Sequence, residues 1–404
     1  MHLDVLPLAF ALIGLALYAV LGGADFGAGF WQLVGADRDV RDHAHHAMAP
    51  VWEANHVWLI FVLTVVWTAY PAAFGSIAST LSIPLFIAGI GIVLRGGAYA
   101  LRSGTRTPAE VRRVDTLFAI SSILTPFALG TVIGGIASER VHVGNPGGSL
   151  VTSWLNPTSI TIGALAVALS AYMAAVFLSG DAQRRGDERL AERFRTRALA
   201  SGVVAGAAAV AGIIVLHFDA ERLFHRLTQG PGLPALIVSV AAGVATLALL
   251  SQRRYEPARY SAALAVAAIV AGWAIGQSPV FLRGLTIHQA AAGHDALVAV
   301  VVAVIGGAVI LFPSLALLFR LTLRGDLDPG RERAPVPTHA GVPGAGGARI
   351  AVAFLVGGIG LLSVANAPWA HAIGVACFFG FAIAAYSAVA EEPIARSASV
   401  DGTK

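Results

Sequence analysis

The sequence predicts an all-α, polytopic membrane protein, and three observations carry that reading. Hydrophobic residues make up 56% of the 404-residue chain and only 12% are charged, against about 25% in soluble proteins. Mean hydropathy is +0.74. Apolar runs of about 20 residues, the length a helix needs to cross a bilayer, recur along the chain, and a helix satisfies its own backbone polar groups in hydrocarbon.

The first run, residues 3–23, has no basic leader and passes into Asp25 and Phe26 rather than a small-residue cleavage site. It reads as a membrane helix and not as a removed signal peptide. Further runs follow at 48–70, 80–101, 116–136, 159–180, 198–217, 232–250, 260–278 and 295–319. Gly325 to Gly347, rich in Pro and Gly, reads as a flexible linker, and two shorter runs at 349–366 and 370–389 form a terminal hairpin. The expected organisation is a transmembrane body over 1–324, a linker over 325–348, the hairpin over 349–390 and a polar tail over 391–404. No separate soluble domain fits.

Arginine alternates between loops. Arg38 and Arg41 precede a loop with none, Arg95, Arg102, Arg106, Arg112 and Arg113 precede Arg140 alone, and the arginines between 184 and 197 precede Arg222 and Arg226. Arg253, Arg254 and Arg259 then face Arg283, and Arg320, Arg324, Arg331 and Arg333 close the body. The positive-inside rule puts the N-terminus outside and the C-terminus in the cytoplasm. The net charge of +4 follows from this asymmetry and calls for no nucleic-acid partner. A lone cysteine, Cys377, excludes an intrachain disulfide framework.

Chemistry is sought where polar groups enter an apolar run, because they are costly there. The second run opens Trp52-Glu53-Ala54-Asn55-His56-Val57-Trp58. Glu53 and His56 are three apart and share a helix face. A buried carboxylate there either exchanges protons at working pH or pairs with an arginine to lock helices together. Glu-x-x-His also occurs in di-iron bundles, but these need a second pair and further carboxylates, which the chain lacks, so no metal is expected. His56 or His217 could in principle ligate haem; hydrogen bonding is the plainer reading. His43, His45 and His46, beside Asp37, Asp39 and Asp42, read as a solvated amphoteric loop able to collect protons, with a metal site as the other reading. Asp25, in Gly-Gly-Ala-Asp-Phe-Gly-Ala-Gly, is expected to end the first helix as a cap or to join a polar route.

Three segments, Gly23-Ala24-Asp25-Phe26-Gly27-Ala28-Gly29, Ala49-Pro50-Val51-Trp52-Glu53-Ala54-Asn55-His56-Val57-Trp58-Leu59-Ile60 and Leu94-Arg95-Gly96-Gly97-Ala98-Tyr99, closely resemble subunit II of cytochrome bd-type quinol oxidases in order and spacing. The likeness extends to Thr125-Pro126-Phe127-Ala128-Leu129-Gly130 and Gly276-Gln277-Ser278-Pro279, covering about residues 1–325. It implies a nine-helix subunit of two four-helix bundles plus a peripheral helix, in a complex that oxidises quinol and reduces dioxygen to water in a bacterial plasma membrane. It also implies that haems b and d sit on subunit I, that this chain carries no catalytic residue, and that it supplies a cytoplasmic proton route.

By that resemblance Glu53 matches the carboxylate of the route, with Asp25, His56 and Asn55 beside it, while Trp52, Trp58, Arg95 and Arg102 are structural or interface candidates. Implied partners are subunit I, the quinol pool and lipids, with room for a small single-helix accessory subunit and a structural quinone. The chain departs from the family at Gly22 and at Ala100 in Tyr99-Ala100-Leu101-Arg102, where relatives often carry acids, and in its extra hairpin. The runner-up reading is a proton-coupled secondary transporter using Glu53, His56 and Asp25, which calls for broken helices with repeat symmetry. Too few buried histidines and three methionines argue against the haem-bearing subunit itself.

Overall fold

A computed structural model describes residues 3–34, 39–40, 43–44, 52–102, 104–105, 107–144, 148–323, 344–364 and 367–390. The chain divides into two compact units, Met1–Pro313 and Ser314–Lys404. In the first, α1 (Leu6–Leu17), a π-helical turn (Tyr18–Gly22) and α2 (Gly23–Val34) form one 29-residue span. Asp25 therefore does not end the first helix, as its glycine-rich setting suggested; it lies inside a helix that continues to Val34.

That continuation has a physical reason. Glycine disfavours an isolated helix by about 1 kcal/mol relative to alanine, but here it allows close packing. A Cβ on Gly27 would fall 1.8 Å from the Ser170 carbonyl oxygen and 2.7 Å from Ala174 Cβ. Gly27→Ala must push α2 away from the helix carrying Ser170, with an overpacking cost of about 1–3 kcal/mol or more. The expected result is a lower melting temperature of the detergent-purified protein. Ser170→Gly should not restore it, since the obstacle is backbone; an unchanged melting temperature in Gly27→Ala would show that the two helices separate freely.

The chain continues through α3 (Trp52–Ala69), α4 (Pro71–Thr80), α5 (Ser82–Arg102) and α6 (Pro108–Ala137). Tyr70 leaves helical geometry and Pro71 restarts it, the first-turn position proline suits; the sequence pattern had not separated α4. Helix α6 starts earlier than residue 116 because Thr107 and Glu110 form a capping box ahead of its apolar run. Then come α7 (Pro157–Arg184), capped by Asn156, α8 (Glu188–Asp219), capped by Asp187, α9 (Glu221–Thr228), α10 (Leu233–Ser251) and α11 (Tyr255–Gln277). A two-stranded hairpin, β1 (Val280–Leu282) and β2 (Leu285–Thr286), leads through α12 (Ile287–Ala290) to α13 (His294–Leu323).

Eight helices among the described residues are long and apolar enough to cross a membrane, and α3 adds a shorter apolar stretch, Asn55–Ala69. Helices α1/α2, α3, α5 and α6 form one four-helix group, with α1 on α3 and both α2 and α5 on α6. Helices α7, α8, α10 and α11 form the second, and α7 joins the groups by packing on α2 and α6. The larger core lies at this junction, where Trp31, Tyr172, Met173 and Phe194 pack among alanines.

Short elements close the Tyr70 end of the body. Leu223 and Leu227 bury one face of α9, and Gly284, at φ +81°, turns β1 into β2. The Tyr70 hydroxyl donates to the Asp4 carbonyl (2.6 Å) and accepts from Leu8 N–H (3.0 Å), pinning the start of α1. Arg140 holds Asp219 at 2.6 Å, and Asp219 also accepts from the Thr158 hydroxyl and N–H.

In the second unit, α14 (Gly344–Val364) and α15 (Pro368–Ala390) pack against each other, with Gly358 close to the Gly374 carbonyl. The hairpin thus begins before residue 349. The expected linker from Gly325 through residue 343 and the tail over 391–404 lie outside the described residues.

Candidate intramembrane polar site

The most buried charges of the described residues are Asp25 on α2 and Arg95 on α5, with 1% and 0% of their surface exposed. Arg95 Nη2 donates to Asp25 Oδ1 at 2.5 Å and to the Asp25 carbonyl at 3.0 Å. The guanidinium lies 4.8 Å from the Phe26 ring centre and 4.6 Å from that of Phe118, so an aromatic face meets the cation from each neighbouring helix. Arg95 had been counted among loop arginines; it is instead a bundle residue. One turn earlier on α5, Gly91 lets that helix pack closely onto α6, where a Cβ would run into Thr125 Oγ1. Asp25 Oδ2 and Arg95 Nε and Nη1 are buried without a hydrogen-bond partner among the described residues.

A second polar pair adjoins the first. The Tyr18 hydroxyl, at the start of the π-turn, lies 3.5 Å from His56 Nδ1 on α3. Phe26 touches both pairs, with its ring centre 6.2 Å from Tyr18 and 5.9 Å from His56. Asn55 Nδ2 donates to the Leu21 carbonyl at 3.3 Å, tying α3 to the irregular turn. π-turns of this kind recur where a helix re-aims side chains at functional sites. At Gly22 a Cβ would come within 3.1 Å of the Tyr18 ring. The glycine thus leaves room for the tyrosine where relatives were expected to place an acid.

The other sequence candidates fall as follows. Trp52 and Glu53 open α3, but their side chains lie outside the described residues. Trp58 packs edge-on against Phe61, Arg102 pairs with Asp115 at 2.7 Å, and His217 packs against Phe218 and Phe224. His43 corrects the expectation of a solvated loop. It is buried beside Phe194, with Nε2 3.4 Å from Asp181 Oδ2. Burial holds its imidazole below the ordinary value, with Asp181 opposing that shift. His45, His46, Asp37 and Asp42 lie outside the described residues, and among those described no three His, Cys, Asp or Glu side chains group as metal ligands.

Sequence reasoning singled out neither Tyr18 nor Phe118. Tyr18 was within reach, since it precedes Asp25 by seven residues and so shares its helix face; Phe118 carries no such signal.

Residues 3–322 match the family model of the cytochrome bd terminal oxidase subunit II. The chain belongs to this family. A Bacillus subtilis (strain 168) relative bearing the name of a cytochrome bd menaquinol oxidase subunit II is 21% identical over 238 residues, 57% of this chain and 67% of its own length. A second relative from that organism, cytochrome bd ubiquinol oxidase subunit 2, is 27% identical over 177 residues, 41% of this chain and 51% of its own length. Among solved structures, a chain of the bd oxidase from Geobacillus thermodenitrificans superposes with a TM-score of 0.65 at 25% identity, covering 80% of this chain and 99% of that one. The subunit II resemblance is therefore confirmed, and with it the all-α polytopic fold. The matched segment holds Asp25, Arg95, Tyr18 and His56; the hairpin α14–α15 lies beyond it.

Proposed function

We propose that this chain is the non-haem subunit of a quinol:oxygen oxidoreductase in a bacterial plasma membrane, held against a haem-bearing subunit I and supplying protons from the cytoplasm. The observation that carries the reading is a polar cluster inside a membrane bundle of the bd oxidase subunit II family, where α3 brings Asn55 and His56 onto the π-turn. Haems b and d, and the reaction they catalyse, belong to the partner in this proposal. The present chain contributes two things: a rigid bundle locked by Asp25 and Arg95, and a succession of exchangeable protons.

The arginine-rich loops face the cytoplasm, which puts the start of α3 at the cytoplasmic side. Glu53 takes up protons there. His56 and Tyr18 offer the next exchangeable groups within hydrogen-bonding distance of each other. Asn55 does not titrate; it holds the Leu21 carbonyl and so fixes the spacing between α3 and the turn. The hairpin, absent from the family match, serves as packing material, either in place of a single-helix accessory subunit or as a lipid-facing prop. The subunit also meets lipid and the quinol pool, and a structural quinone is compatible with this role.

The test is purification of the tagged chain from its native membrane. A haem-bearing membrane subunit should co-purify, and the reduced-minus-oxidised spectrum of the preparation should show b- and d-type haem. Recovery as a stable, active, solitary transporter would overturn the proposal.

A further inference from the structure

Away from the buried site, one face of α6 carries a shallow, open groove lined by Ala109, Arg112, Arg113, Thr116, Leu117 and Ile120. These positions fall at helical spacing, so they make one continuous stripe with two cations at its start and apolar side chains one to two turns further on. Arg112, Arg113, Leu117 and Ile120 are all exposed.

The charges along this stripe are unbalanced. The nearby carboxylates are engaged elsewhere: Glu110 accepts from Thr107 N–H in the capping box, and Asp115 accepts from Arg102 at 2.7 Å. Among the described residues, neither Arg112 nor Arg113 has a carboxylate at ion-pair distance.

The depth of the stripe follows from helix length. The apolar span Ala109–Ala137 has 29 residues, about 44 Å at 1.5 Å per residue, against a hydrocarbon core of about 30 Å. Centred in that core, the helix would carry both arginines at headgroup level and Leu117 and Ile120 where acyl chains begin.

We infer that this groove binds an anionic phospholipid, its phosphate held by Arg112 and Arg113 and its acyl chains laid along Leu117 and Ile120. A guanidinium fork matches phosphate geometry, and a cation pair that opens onto an apolar stripe suits an amphiphile better than a free anion. The inference stands apart from the proton route, since none of its residues belongs to the buried cluster.

The test uses the protein purified from its membrane in mild detergent together with its partners. It is incubated with phosphatidylglycerol, with phosphatidylcholine of the same acyl chains, or with inorganic phosphate, and retained lipid and melting temperature are measured. The unsubstituted protein should retain phosphatidylglycerol in preference to phosphatidylcholine by about thirtyfold, as expected for two basic residues at a membrane surface, and be stabilised by it. Arg112→Gln with Arg113→Gln should abolish the preference without changing turnover, and Arg112→Lys with Arg113→Lys, which keeps the charges but loses the fork, should keep only part of it. Equal lipid retention in the glutamine variant would overturn the inference. So would stabilisation by inorganic phosphate alone, which indicates a free-anion site, or loss of a co-purifying protein from the glutamine variant, which indicates that a protein covers the groove.

Discussion

Replacing Arg95 by Met, or Asp25 by Leu, should sharply lower the amount of folded protein recovered from the membrane and its melting temperature in detergent. Each change leaves one charge of a fully enclosed pair without its partner, for which the typical cost is about 3–5 kcal/mol. Against a total stability of about 5–15 kcal/mol, that loss is large, and it corresponds to a shift of about 4–6 °C for a chain of this size. The Phe26 and Phe118 rings temper the loss in Asp25→Leu, because their faces still attract the Arg95 guanidinium once its counter-charge is gone. In Arg95→Met they retain an apolar neighbour.

The double variant separates a lock from a working part. Asp25→Leu with Arg95→Met removes both charges, and exchanging a buried ion pair for apolar groups is often neutral or stabilising. Recovery of the melting temperature with turnover intact would assign the pair to holding α2 and α5 together. Recovery of the melting temperature with turnover still depressed would place Asp25 in proton delivery. Single variants as stable as the parent would refute the lock altogether.

The same pair marks the limit of what the sequence displays. Hydrophobic runs long enough to span a bilayer mark out the body, because length and apolarity are local properties. Asp25 and Arg95 are 70 positions apart, and neither belongs to a periodic pattern that points to the other. The alternative first weighed for Glu53, a carboxylate locked by arginine, is realised at Asp25. The misreading of Asp25 as a helix end has a related cause. Gly23, Gly27 and Gly29 look like breakers by propensity, but that is a weak prior which tertiary contact overrides, here the approach of α2 to Ser170.

Short elements escaped for a different reason. Helix α9 is amphipathic, with two buried leucines among charged neighbours, so it does not register as an apolar run. β1 and β2 are too brief for alternation to show. His43 read as solvated from its polar neighbours in sequence, yet its environment is set by Asp181 and Phe194 on the second bundle. Glu53 is the reverse case: the sequence and the family resemblance propose a role for it, and its side chain lies outside the described residues.

Glu53→Gln should therefore be the most informative single substitution in the proposed route. Gln preserves the length and hydrogen-bonding capacity of the side chain but cannot carry a proton, so turnover should fall by about 10²-fold, the low end of what a positioned proton-transfer group supplies. Assembly should survive, because the contacts that hold α3 to the π-turn, Asn55 to Leu21 and His56 to Tyr18, belong to other residues. Glu53→Asp keeps a titratable group on a shorter arm and should retain intermediate turnover. The measurement is quinol-driven oxygen consumption per assembled haem, with the subunit ratio determined in parallel. Loss of the complex in Glu53→Gln would make Glu53 a structural residue. Unchanged turnover would mean that protons enter elsewhere, and Tyr18 and His56 would then lose their place in the route, since they would have no donor on the cytoplasmic side.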